Sequence, residues 1–80
     1  MADTEKPVKT IDCVGLYCPQ PLLQTRLAID TIPVGQILEV LADDPAAEED
    51  IKRFVKRAGH AVLSVEKKDG GLRLLIRRVK

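Results

Sequence analysis

The chain has 80 residues, 45% of them hydrophobic and 31% charged, with a formal net charge of +1. That is room for one domain, spanning 1–80, and one modest core. The balance belongs to a soluble globular protein and excludes a disordered chain or one built of membrane spans. A near-neutral whole-molecule field and only two aromatic residues, Tyr17 and Phe54, argue against stable nucleic-acid binding.

Met1 to Lys6 is polar and expected to fray. From Val8 to Cys13 β-branched residues suggest a first strand, with Ile11 and Cys13 on one side. A short loop containing Gly15 leads to Pro19. Gln20 to Ile32 reads as a helix whose stripe is Leu22, Ala28, Ile29 and Ile32, with Leu23 and Leu27 off that side. Pro33-Val34-Gly35 stops it. The run "QILEVLADD" then reads as a strand in the interior of a sheet. Asp44-Pro45 starts a second helix, Asp as N-cap and Pro in the first turn, and Ile51, Phe54, Val55 and Ala58 recur at helical spacing up to Gly59. In "HAVLSVEKK" the residues Ala61, Leu63 and Val65 alternate. Asp69-Gly70 makes a tight turn, and Leu72, Leu74 and Ile76 alternate in a last strand. The order β-α-β-α-β-β predicts a two-layer α/β (α+β) sandwich, a four-stranded mixed sheet with two helices on one face.

Both cysteines lie in "DCVGLYCPQPLL", where Cys18 directly precedes Pro-x-Pro. A residue before proline is pushed toward extended dihedrals, the conformation an N-cap needs. With Cys18 as cap, Pro19 and Pro21 remove donors that have no intrahelical partner, which leaves the Gln20 and Leu22 N–H groups to face the sulfur. A second register puts Gln20 at the cap and Cys18 two residues outside. In both, the positive end of the helix dipole favours thiolate. Hydrolytic chemistry needs a base beside the thiol, and the one histidine, His60, begins a distant strand. Sulfur exchange needs only exposure, geometry and a leaving group.

"IDCVGLYCPQPLLQTRLAI" resembles the N-terminal signature of the TusA (SirA-like) sulfur-carrier family. Asp12, Gly15, Leu16, Cys18, Pro19, Pro21 and Arg26 occupy the positions of that motif, and "ADDPAAEEDI" is similar to the start of the family's second helix. The resemblance implies that Cys18 accepts sulfane sulfur as a persulfide and passes it on without a cofactor or metal. Pro19, Gln20, Pro21, Leu22 and Gly15 would hold the sulfur. It also implies a cysteine desulfurase or rhodanese-like donor, a DsrE-like acceptor, and service to tRNA thiolation or sulfur oxidation. A cytoplasmic monomer with transient protein contacts is the matching expectation, since no apolar run has the length of a bilayer span and "MADTEKPVK" lacks a signal-peptide core.

Several residues carry more than one reading. Leu16 and Tyr17 form an apolar docking collar or pack on the sheet edge. Arg26 docks a partner, braces the fold toward Asp43 or Asp44, or is solvated. Arg53 and Arg57, with Lys52 and Lys56, offer a docking surface for an acidic partner, or complement the helix dipole. Arg77, Arg78 and Lys80 raise the same choice or protect an edge strand. Cys13 reads as a small buried hydrophobe, with a resolving thiol for Cys18 as the alternative. The rival functions are a regulatory or nucleic-acid-binding module using the basic second helix, and a Cys13/Cys18 redox switch.

Overall fold

Lys9–Cys13 forms strand β1 and Ile37–Ala42 strand β2, in a computed structural model that describes residues 6–17 and 19–80. Helix α1 spans Gln20–Ile29 and helix α2 Ala47–Ala58, and strands β3, Ala61–Lys68, and β4, Gly71–Arg77, complete the order β-α-β-α-β-β. β1 and β2 run parallel with Cys13 opposite Ala42. β4 inserts between β2 and β3, antiparallel to both, so the sheet order is β1-β2-β4-β3. One core cluster joins Ala28, Ile29, Ile51 and Val55 of the helices to Leu38, Val40, Leu74 and Ile76 of the central strands. This is the expected two-layer α+β arrangement. Among the described residues no helix is long and apolar enough to cross a membrane.

β2 lies inside the sheet, as its near-continuous apolar run predicts. Leu38, Val40 and Ala42 of β2 and Leu74 and Ile76 of β4 are fully buried under the helices, each large side chain contributing roughly 1.5–3 kcal/mol of transfer free energy. The face of the sheet away from that core carries a polar chain that crosses all four strands. Thr10 Oγ1 donates to Glu39 (2.7 Å), Arg73 Nε donates to the other Glu39 oxygen, and Arg73 Nη1 donates to Glu66 (3.0 Å). The Arg73 guanidinium, followed by the Thr10 hydroxyl, holds the Glu39 carboxyl below its usual range.

Four expectations need correction. α1 ends at Ile29 rather than Ile32, because the Thr31 N–H (2.9 Å) and hydroxyl (2.7 Å) both turn back to Ala28 O. α2 begins at Ala47 rather than at Pro45. Asp44 leads into it through an Asx turn, its Oδ1 accepting from Ala46 N–H (3.0 Å) and its carbonyl from Ala47 N–H (3.0 Å). Leu63 does not face the core with Val65, since a bulge between Val62 and Ser64 throws it outward and brings Val62 in. β4 is not an edge strand, so Arg77, Arg78 and Lys80 guard no edge. Arg78 instead donates to Ile32 O (2.7 Å) and Asp30 O (3.3 Å), where α1 has just ended.

The turns behave as their residues require. Asp69 and Gly70 take positive φ of 52° and 80° in a two-residue hairpin loop, the geometry of a type I′ turn. α2 closes at Gly59 with the paired backbone bonds Gly59 N–H to Lys56 O and His60 N–H to Val55 O.

Candidate functional site

Because β1 and β2 are parallel and end in register, the loops that follow them emerge at the same end of the sheet. Crevices beyond the carboxyl ends of parallel strands are habitual binding sites. The first loop, from Val14 to Pro19, carries the Gly-Leu-x-Cys-Pro motif, and Cys18 itself lies outside the described residues. The amides ahead of it are occupied one after another. Val14 N–H donates to Asp12 Oδ1 (3.0 Å), Gly15 N–H to Asp43 Oδ1 (2.9 Å), and Leu16 N–H to Cys13 O (3.1 Å). Gly15 has φ +87° and nothing within 4 Å of the position a Cβ would take. Its requirement is therefore the left-handed backbone and not a close neighbour.

Pro19 is the N-cap of α1, Gln20 and Pro21 open the helix, and no side chain bonds to the cap. Neither expected register is adopted, since each put a different residue at the cap. Position 18 stands one residue outside. Of the two donors expected to face the sulfur, Gln20 N–H is engaged by Tyr17 O (2.7 Å). The first intrahelical bond among the described residues runs from Leu23 N–H to Pro19 O (3.0 Å); the other expected donor, Leu22 N–H, belongs to the first turn, and its relation to Cys18 lies outside the described residues. Pro21 is buried, Pro19 and Gln20 are exposed, and Leu22 is half-buried.

The residues expected to dock partners have different surroundings. Leu16 is half-buried and packs against the core, whereas Tyr17 is 75% exposed. Arg26 does not reach toward Asp43 or Asp44. Its guanidinium carbon lies 6.0 Å from the centroid of the Phe54 ring, a cation–π distance. Leu22 and Arg26 of α1 and Arg53, Phe54 and Arg57 of α2 line a groove of about 530 Å³ between the helices, with Asp50 as its one carboxylate. Arg53 approaches Asp50 at 3.7 Å, and Lys52 pairs with Glu48 at 2.7 Å. The basic run thus divides between pairs along α2 and the groove wall. Leu23 and Leu27, 40% and 67% exposed, continue an apolar strip along the same helix.

Two further residues have surroundings that the fold defines. Cys13 is 1% exposed, and burial, with the Asp12 carboxylate adding to it, pushes its thiol above the ordinary value; it is the small buried hydrophobe expected, and such thiols are inert. The Cys13–Cys18 geometry lies outside the described residues. His60 precedes β3, which runs parallel to β2, and so sits at the opposite end of the sheet. Its Nδ1 accepts from Val79 N–H (3.0 Å), and burial followed by Arg78 keeps its pKa below the usual value.

Asp43 as the acceptor for Gly15, and the partnership of Phe54 with Arg26, were not found from the sequence. The signal for Asp43 was present: "ADD" ends a strand that is parallel to the one ending in Cys13. It becomes readable only once the two strands are known to finish level.

A protein-family model described as Sulfurtransferase TusA matches residues 9–78. Two relatives in Archaeoglobus fulgidus, each provisionally named a sulfur carrier protein, are 49% identical over 91% of this chain and 96% of their own length, and 34% identical over 88% and 96%. A third in Aquifex aeolicus with the same name is 40% identical over 81% of this chain, which spans 33% of that protein. Among solved structures, a SirA-like protein from Desulfitobacterium hafniense superposes with a TM-score of 0.80 over 91% of this chain and all of its own, at 22% identity, a likeness of fold. A motif loop at the carboxyl end of parallel strands, a family match over nearly the whole sequence and full-length relatives agree: the chain belongs to the TusA family of sulfur carriers.

Proposed function

We propose that Cys18 is the sulfur-carrying residue of this chain. Its thiolate attacks the terminal sulfur of a donor persulfide; the donor S–S bond breaks, a new S–S bond forms at Cys18, and the donor leaves as a thiolate. An acceptor thiolate then attacks the outer sulfur of Cys18–S–S⁻, takes that sulfur, and returns Cys18 as thiolate. Atoms and electrons balance with no oxidant or cofactor. The observation that supports the reading most is the setting of position 18: it follows an amide-pinned loop and precedes an uncapped helix N-terminus, where anions are favoured.

Gly15, Pro19, Gln20, Pro21 and Leu22 shape that setting. Donor and acceptor proteins meet Tyr17, the strip of Leu23 and Leu27, and the groove wall of Arg26, Arg53 and Arg57, while Leu16 anchors the collar from beneath. The donor is of the cysteine desulfurase or rhodanese-like class and the acceptor is DsrE-like, serving tRNA thiolation or sulfur oxidation. Mass spectrometry after incubation with a persulfide donor tests the reading. The expected result is a gain of about 32 Da, the mass of one sulfur, at Cys18, kept in Cys13→Ser and absent in Cys18→Ser. Loading that survives Cys18→Ser sinks it.

A further inference from the structure

The segment ahead of Cys18 is held largely by itself. Asp12 serves Val14 from two residues away, and Cys13 O serves Leu16 in a tight turn. Among the described residues, one hydrogen bond ties this segment to another strand's end: Gly15 N–H to Asp43 Oδ1, 2.9 Å across a separation of 28 residues. That contact exists because Cys13 and Ala42 are register partners, so the first residue after β2 meets the second residue after β1. The neighbouring carboxylate, Asp44, receives Ala46 N–H at the entry to α2.

We infer that Asp43 is a positioning residue for sulfur exchange: through Gly15 it fixes the height at which the loop delivers position 18 to the mouth of α1. This rests on the reading of Cys18 as the carrier. A carboxylate is a poor neighbour for a thiolate on charge alone, since it opposes ionisation. Its value here is as an acceptor of defined place. A misplacement of about 1 Å at a reacting group costs up to roughly 100-fold in rate. The left-handed conformation of Gly15, φ +87°, makes the tie more consequential, because glycine without it samples many alternative backbone states.

The test separates charge from geometry. Asp43→Asn keeps an acceptor and removes the charge; Asp43→Ala removes both; Asp43→Glu keeps the charge and moves the acceptor outward by one methylene. Each is measured for Gly15 amide exchange, for the rate of sulfur loading from glutathione persulfide, and for the pH midpoint of Cys18 alkylation by iodoacetamide. The expected result is that Asn stays within about threefold of the unmodified protein. Ala and Glu should load about tenfold more slowly, with Gly15 exchanging at least tenfold faster and the alkylation midpoint raised above that of Asn. Equal behaviour of Ala and Asn, or an Asn variant as slow as Ala, overturns the inference. If Asp43→Ala is unfolded by circular dichroism, the comparison of Glu with Asn decides alone. Should the unmodified protein alkylate at Cys18 yet take no sulfur, the carrier reading fails, and the alkylation midpoints still decide the role of Asp43.

Discussion

The two helices lie side by side on one sheet and are built to opposite specifications. α2 has a strongly divided surface: Ala47, Ile51 and Val55 are buried, Glu48, Glu49 and Asp50 fill the first turn, and Lys56 and Arg57 the last, each charge set complementing the dipole. α1 has no acidic first turn and no side-chain cap, buries Pro21, Thr25, Ala28 and Ile29, and leaves Leu23 and Leu27 in solvent. A helix that places threonine inward and leucine outward is not optimised for its own stability. The contrast teaches that α2 anchors itself through an amphipathic face and complementary terminal charges, while α1 joins the same core through Ala28 and Ile29 and keeps an apolar flank in solvent.

The anchoring half of the contrast breaks most visibly in the core. Ile51→Ala should cost about 2–5 kcal/mol of unfolding free energy, against a change within about 0.5 kcal/mol for Leu27→Ala, both read from urea denaturation. Comparable losses would show that α1 and α2 share one role. A paired change, Leu23→Ser with Leu27→Ser, sharpens the other half. Loading from glutathione persulfide should be unchanged, while transfer from a protein donor slows about tenfold, the equivalent of 1.4 kcal/mol of lost docking. Equal slowing with both donors would mean that the strip shapes the sulfur site and does not receive a partner.

The smallest effects come from titration at places distant from α1's N-terminus. Glu39 has its pKa lowered in the folded state, so its contribution to stability is full above the ordinary value of 4.5 and is lost as pH falls through the depressed folded value. Glu39→Gln should therefore flatten the acid limb of a stability profile. His60 is also lowered, from 6.5, and below that pH the unfolded chain binds the proton more readily, so stability declines on acidification toward the folded value. Protonation also converts the Nδ1 that accepts from Val79 N–H into a donor. Val79 amide protection should fall in the same window, and a flat response would place that end of the molecule outside pH control.

Much of the fold was legible because local rules and the tertiary arrangement agree. The spacing of Ile51, Phe54, Val55 and Ala58, the Asp69-Gly70 turn and the apolar run of β2 each specify an element that the packing then uses. The side of α1 that faces the core was half legible. Ala28, Ile29 and Ile32 are buried as expected, yet Thr25 is fully buried as well, its hydroxyl satisfied by Pro21 O at 2.8 Å. Hydropathy alone does not place a threonine inside, because the local bond that makes its burial tolerable is absent from any hydropathy pattern. The site divides in the same way: the Cys-Pro-x-Pro stretch announces itself in the sequence, but the acceptor that ties its loop lies 28 residues on.

By itself the sequence determined the order of elements and the family to which its Cys-Pro-x-Pro motif belongs, since both follow from short-range periodicity and from a contiguous signature. Only the tertiary structure decided that β4 lies inside the sheet, that Leu63 bulges outward, that Arg26 settles on Phe54, and that Asp43 holds Gly15. Each of these depends on which distant strands pair and where they end. Pairing partner and register are selected by burial of the whole layer, and no short stretch of chain carries that information.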